Sequence, residues 1–217
     1  MIRVGWYERL MGHPKNNAAS KPTPPASPTI QVWTDGSCLL NPGGPGGWAA
    51  ILVRDDGSRE EIVGGAPDTT NNRMELMGPI SALERIGPTV VRVISDAQYV
   101  VRGASEWMRN WKKRGWRLKN GEPIKNEDLW RRMDSAIARH DRVLWQWVRG
   151  HSGDVNNEAA DQLAETEARK YPHDPEKVRA REELIERTRA PRRESYEAQR
   201  IRELEDELTP GLFRRWS

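Results

Sequence analysis

Apolar and polar positions change their period several times along the chain, and each change predicts an element. Residues 1–28 show no sustained pattern, and Lys21–Pro28 is rich in proline and serine, which bars helix or an inner strand. A tail is expected there. From Thr29 the pattern becomes regular: Ile30–Asp35 reads as a strand with Ile30 and Val32 on one face. Asn41–Gly47, with its glycines and prolines, predicts a turn, and Trp48–Val53 a second strand. Asp55-Asp56-Gly57 marks a hairpin before a third strand, Arg59–Gly64.

The period then turns helical, with Met74, Met77, Ile80, Leu83 and Ile86 at helical spacing until Gly87-Pro88 stops the helix. Thr89–Ser95 is an apolar strand of the kind buried on both faces. Short helices are expected at Ala97–Gly103 and Glu106–Lys113, and a longer one at Asp128–His140 with Leu129, Met133, Ala136 and Ile137 inward. Val143–Val148 reads as a fifth strand, and Asn157–Lys170 as a helix with Ala160, Leu163, Ala164 and Ala168 on one face. Hairpins join the first three strands and crossovers join the rest. The expected class is therefore α/β, a five-stranded mixed sheet flanked by helices. The organisation is a tail at 1–28, one domain at 29–170, and a charged helical or partly disordered extension at 171–217.

Length and composition agree with one domain plus tails: 217 residues, 31% of them charged, with a mean hydropathy of −0.85. No apolar run approaches the roughly 20 residues a membrane-spanning helix requires. Met1–Leu10 lacks the apolar core of a secretory signal. A cytoplasmic location is the expectation. The single cysteine, Cys38, rules out an intrachain disulfide and a cysteine-rich zinc site. The net charge of +3 says little about partners, but its distribution says more: basic residues crowd into Arg109–Lys125.

Four acids stand out by context. Asp35 ends the first strand in TDGS and Asp96 ends the fourth in VISDAQ, and strand ends beside a change of connection direction form the usual crevice of an α/β sheet. Glu75 lies in the first turn of its helix, and Asp161 in the first turn or so of the last helix. Taken singly, each has an ordinary explanation as a turn former, cap or partner of the helix dipole, and spacing alone does not bring the four together. Four convergent carboxylates would repel one another and call for hard cations such as magnesium or manganese. Two such ions suit in-line phosphodiester displacement. A Walker A pattern is absent, which disfavours nucleotide hydrolysis.

The segments TDGSCLLNPGGPGGWAAIL, TTNNRMELM, SDAQYV, NWKKRGW and VRGHSGDVNNEAADQLA together resemble type 1 ribonuclease H of the bacterial kind, over roughly Thr29–Lys170. The resemblance implies a ribonuclease H-like fold. It implies Asp35, Glu75, Asp96 and Asp161 as ligands of two Mg2+ ions, with Mn2+ able to substitute. It implies hydrolysis of the RNA strand of an RNA–DNA hybrid, leaving 3′-hydroxyl and 5′-phosphate ends. His151 falls at the family's mobile-loop histidine, where an imidazole with its ordinary pKa near 6.5 suits proton shuttling or product release. Gly150 and Gly153 would give that loop its freedom.

By the same resemblance the turn Cys38–Asn41 with Asn71, Asn72 and Gln98 would read the 2′-hydroxyl that distinguishes RNA, although Asn71 and Asn72 could equally serve as helix caps. The turn after Asn41 carries one glycine more than the family's NPGPGG, which bears on where Asn41 lies. Thr70 would belong to a phosphate pocket and Trp107 would pack against deoxyribose. Lys112, Lys113, Arg114, Arg117 and Lys119 would meet phosphates of the DNA strand in a salt-sensitive grip. Trp111, Trp116 and Trp130 are expected to be structural. An integrase or junction resolvase of the same fold, a catalytically inactive hybrid-binding module, and a structural protein built on the charged C-terminal region are the competing readings. The first lacks the basic segment beside TTNNRMELM, the second would require loss of a ligand although all four acids are present, and the third leaves the acids unexplained. A monomer without an obligatory protein partner is expected.

Overall fold

The computed structural model describes residues 30–187; the expected tail at 1–28 and the charged segment after 187 lie outside the described residues. Five strands form one sheet in the order β3-β2-β1-β4-β5. They are β1 (Ile30–Cys38), β2 (Gly44–Arg54), β3 (Arg59–Thr69), β4 (Val90–Ser95) and β5 (Arg142–Trp147). β1–β2 and β2–β3 pair antiparallel, whereas β1–β4 and β4–β5 pair parallel. The mixed sheet is the one expected from the hairpins and crossovers.

Several boundaries differ from the sequence expectation, each for a packing reason. β1 continues past Asp35 to Cys38 because β2 goes on pairing with it there, Asp35 opposite Ala49. The parallel partner β4 stops earlier, its last pair being Trp33 with Ile94. Asp35 therefore lies inside a strand, just beyond the point where β1 and β4 part. β2 begins at Gly44 rather than Trp48, so Gly44–Gly47 is strand rather than turn. A Cβ on Gly47 would lie 2.2 Å from the carbonyl oxygen of Ala164, so the bare backbone lets a helix lie directly on the sheet. β3 extends to Thr69 and tolerates Pro67 because it is an edge strand.

Helix α1 (Asn71–Arg85) lies on one face of the sheet, packed on β1 and β2. Its buried stripe is Met74, Leu76, Ile80, Ala82 and Leu83, while Met77 is only half-buried. The two short helices expected between 97 and 113 are one continuous run: α2 (Gln98–Arg102), a π-helical turn (Gly103–Trp107) and α3 (Met108–Lys113). α4 (Glu127–Ile137) packs on α1. Together these helices close the main core over Val32, Leu52, Val91 and Val93, with Trp130 fully buried. On the other face α5 (Val155–Ala168) lies against β1, β2 and β3. Ala160, Ala164 and Ala168, all fully buried, let it approach closely. Among the described residues no helix is long and apolar enough to cross a membrane.

Candidate active site

Four elements deliver the four acids to one end of the sheet. Asp35 comes from β1, and Asp96 directly follows the last residue of β4. Because strand side chains alternate faces, Asp35 shares the face of Trp33, whose indole Nε1 donates to Asp154 at the start of α5 at 3.2 Å. Asp161 projects from the second turn of α5, which Asp154 caps by accepting from the backbone N–H groups of Asn156 and Asn157. Glu75 comes from the second turn of α1 rather than the first, since the helix starts at Asn71. Gly36 makes that approach possible: a Cβ there would sit 2.1 Å from the backbone nitrogen of Glu75.

The electrostatics show that the acids face one another. Burial, then repulsion from Asp96 and Asp161, holds the Asp35 carboxyl well above the usual carboxylate range. Burial and repulsion from Asp96 push Glu75 up to about 7, against a hydrogen bond from Asn71 Nδ2 to its Oε1 at 2.7 Å. Asp161 is raised by burial, with His151 opposing the shift and a shared hydrogen bond to Asp35. Acids outside the cluster behave oppositely: Glu60, Glu84 and Asp128 are each held down chiefly by an arginine. Arginine and lysine are not leading influences on the three clustered acids.

An all-oxygen donor set of mutually repelling carboxylates fits a hard divalent cation, whose charge would relieve what burial and repulsion oppose. Among the described residues, no three His, Cys, Asp or Glu side chains stand close enough together to hold a metal ion as they lie. The acids therefore share one end of the sheet without converging on a single point.

Asp96 is the most closely supported of the four. Its Oδ2 accepts from Asn157 Nδ2 at 3.3 Å and its backbone carbonyl from Trp147 Nε1 at 3.0 Å. Asn157 is itself 2% exposed, and its Oδ1 finds no partner among the described residues. Gly150 touches the same carboxylate, since a Cβ there would lie 2.4 Å from Asp96 Oδ2. Its place in the loop is thus close approach, where the sequence suggested only freedom. Asn157, Trp147 and Gly150 were not picked out as supports of Asp96, because one residue type in a polar run carries no signal of what it faces. His151 is exposed, adopts a left-handed backbone with φ of 52°, and sits with Nδ1 4.0 Å from Asp161 Oδ2. A non-glycine residue in that region is uncommon and clusters at functional loops.

The expected substrate contacts divide into groups. Asn41 Oδ1 accepts from the backbone nitrogen of Asn71 at 3.1 Å, so the longer glycine turn still sets Asn41 at the start of α1. Asn72 and Gln98 are exposed. Cys38 points inward: its thiol donates to the carbonyls of Gly44 and Thr69, and burial raises its pKa. Only the backbone of Cys38 is left to meet a ligand. Thr70 does not cap α1 through its side chain. It lines a cleft of about 360 Å³ with Asn41, Asn72, Lys125 and Asn126. Lys125 and Asn126 were not singled out from the sequence. A larger depression of about 420 Å³ at the Ile30 end of β1 contains none of the candidate site residues.

The basic segment stands on an aromatic stack. Tyr99, Trp107, Trp111 and Trp130 contact one another with ring centroids 5.2–6.4 Å apart. The Tyr99 hydroxyl accepts from Trp130 Nε1 at 2.9 Å and donates to the carbonyl of Lys125. Trp111, Trp116 and Trp130 are buried, as expected, while Trp107 is half-buried with the Arg102 guanidinium 5.2 Å from its ring centroid. Lys112 pairs with Asp134 at 2.7 Å, Arg114 donates to the carbonyl of Arg117, and Arg117 to that of Gly121. All five basic residues, including Lys113 and Lys119, remain exposed.

The RNase H family model matches residues 27–169. Ribonuclease HI of Caulobacter vibrioides is 55% identical over 139 residues, which is 64% of this chain and 91% of that protein. Ribonuclease H of Aromatoleum aromaticum is 57% identical over 136 residues, 62% of this chain and 87% of that protein. The crystal structure of LC9-RNase H1, a type 1 RNase H with the type 2 active-site motif, superposes with a TM-score of 0.61 at 34% identity, covering 69% of this chain and 76% of that one. Matched by the family model across the whole sheet and by relatives more than half identical, this chain belongs to the ribonuclease H family of the bacterial type.

Proposed function

We propose that the chain is an endoribonuclease that hydrolyses the RNA strand of RNA–DNA hybrids, leaving 3′-hydroxyl and 5′-phosphate ends. The observation that carries this is that Asp35, Glu75 and Asp161, delivered by separate elements to one sheet end, are all raised, first by burial and then by neighbouring carboxylates. Family membership supports the activity and its dependence on a divalent metal.

Asp35, Glu75, Asp96 and Asp161 are the residues that would hold the metal, two Mg2+ ions in our reading, with Mn2+ able to substitute. Bound there, the ions supply Lewis acidity that activates water and neutralises charge at the scissile phosphate. The chain's own contribution is placement and proton handling. Asn71 orients Glu75 and Asn157 orients Asp96, so the ligands are preset rather than recruited. His151, at the edge of the cluster, moves a proton between its imidazole and the reacting oxygens or assists product release.

Asn41, Asn71, Asn72 and Gln98 read the 2′-hydroxyl, together with the backbone at Cys38. The cleft at Thr70 takes a phosphate, joined there by Lys125 and Asn126. Trp107 packs against deoxyribose, and Lys112, Lys113 and Arg114 meet the DNA backbone. The catalytic unit is 29–170, acting as a cytoplasmic monomer. The deciding experiment is cleavage of a labelled hybrid in magnesium beside duplex DNA, duplex RNA and single-stranded RNA, by wild type and Asp35→Asn. Hybrid-only cutting that the variant loses is the expected result. Binding without cutting in magnesium or manganese would leave a binding module, and cutting of duplex DNA a different nuclease.

A further inference from the structure

The family match ends at residue 169, yet the chain beyond it packs back onto the domain. Asp174 Oδ1 accepts from the backbone nitrogens of Glu176 and Lys177 at 3.0 and 3.3 Å, capping a helix at 175–187. One face of that helix turns inward, at Val178, Arg181 and Ile185, while its other residues are exposed. Val178 is 2% exposed, seated in a small apolar cluster with Leu39 and Ala168, with Leu40 at its margin. Leu39 and Leu40 lead directly into Asn41.

One turn further along, Arg181 Nη1 donates to the backbone carbonyl of Asn41 at 2.7 Å. Arg169 pairs with both Glu165 of α5 and Glu182, tying the helix to the domain. The side chain of Asn41 is held by the start of α1, and Asn41 lines the Thr70 cleft. Asn41 is thus held by a family element through its side chain and by the added helix through its backbone carbonyl.

We propose that the helix at 175–187 braces the Asn41 turn, and that Arg181 is a positioning residue for hybrid binding, acting through Asn41. The inference rests on the function proposed above. Between Cys38 and Gly44 the turn has few backbone bonds of its own, Leu39 to Pro45 and Gly43 to Thr69 among them. A guanidinium bonded to its carbonyl and a valine wedged beneath it remove freedom that binding would otherwise have to remove. Without the brace, substrate capture therefore weakens and the chemical step is left alone.

The test uses full-length wild type, Arg181→Ala, Arg181→Lys and Val178→Ala on a labelled hybrid in magnesium. KM, kcat, the salt dependence of binding and hydrogen exchange at the Gly43 amide are read together. The alanine variants are expected to raise KM about three- to tenfold, the range for weaker preorganisation with every direct substrate interaction kept. Unchanged kcat, unchanged salt slope and faster Gly43 exchange should accompany that rise, and Arg181→Lys should recover most of it. An unchanged KM in Arg181→Ala would overturn the proposal. So would a KM rise with the salt slope lowered by about 0.7–0.9, which marks a direct phosphate contact. Should wild type fail to cut the hybrid, the proposed function fails; Gly43 exchange then decides the brace separately, and equal rates in wild type and Arg181→Ala would overturn it.

Discussion

The carboxylate cluster and the basic segment carry opposite charge, and they are built on opposite principles. The acids Asp35, Glu75 and Asp161 are partly buried, and no arginine or lysine is a leading influence on them, so burial and repulsion raise their pKa values. They come from β1, α1 and α5, elements locked into the sheet. The bases from Lys112 to Lys119 are exposed, and several are satisfied locally by Asp134 or by backbone carbonyls. Their rigidity comes from beneath, through the stack of Tyr99, Trp107, Trp111 and Trp130. A site that must draw in cations has to tolerate unfavourable charge, so it needs a stiff frame. A surface that meets phosphates needs only the right sign and a firm footing.

Substitutions in the two regions should therefore fail in different ways. The largest effect is expected from Asp35→Asn, which removes a proposed ligand while barely altering shape. Single-turnover cleavage should fall by about 10³-fold or more, the scale of several kcal/mol of metal-assisted stabilisation, with hybrid affinity nearly unchanged. A parallel loss of affinity would mean that the acids serve binding. Next, Trp130→Ala should cost about 3–5 kcal/mol of stability in a denaturant titration, as expected for a fully buried tryptophan. Its kcat should match wild type when the protein is assayed well below its unfolding midpoint, any remaining loss falling on KM through the basic segment.

Smaller effects sharpen the contrast. Lys113→Ala with Lys119→Ala should leave kcat intact and lower the salt slope of hybrid binding by about 0.7–0.9 for each phosphate no longer neutralised. An unchanged slope would remove these lysines from the interface. The smallest effect concerns the metal-free protein. The folded-state pKa of Glu75 lies at about 7, above its ordinary value of 4.5. Its contribution to stability is therefore present below about 4.5 and is lost as pH rises through 7. Asp35 and Asp161 shift in the same direction. Metal-free Glu75→Gln should then melt roughly 3–6 °C above wild type at pH 8 and level with it at pH 4, the shift expected of about 1–2 kcal/mol in a domain of this size. Magnesium should raise wild type selectively and close the gap. Equal melting curves at both pH values would contradict the electrostatic account.

The strands and helices were legible because their periods are strong. The apolar run in β4 and the helical spacing in α1 located those elements to within a few residues. Boundaries were missed wherever a glycine stood in for a packing partner. Gly44–Gly47 reads as a turn by composition, yet it is strand because it pairs with β1 and β3, and at Gly47 the bare backbone admits α5. The acids could be nominated from their contexts, and the resemblance grouped them. Asn157, Trp147 and Gly150 could not be nominated, since their importance lies in facing Asp96 from residues far along the chain. Val178 was hidden in a charged segment where a single buried valine leaves no periodic trace.

Local pattern alone encodes the mixed sheet and the basic character of the segment from Arg109 to Lys125. These follow from local period, turn chemistry and composition, which adjacent residues encode. Packing in three dimensions buries Asp35, Glu75 and Asp161 beside other carboxylates, turns the Cys38 thiol inward and brings the helix at 175–187 to Asn41. Those outcomes depend on distances between residues far apart in sequence, and such distances are fixed by how closely helices can lie on the sheet, a property of packing that no local pattern records.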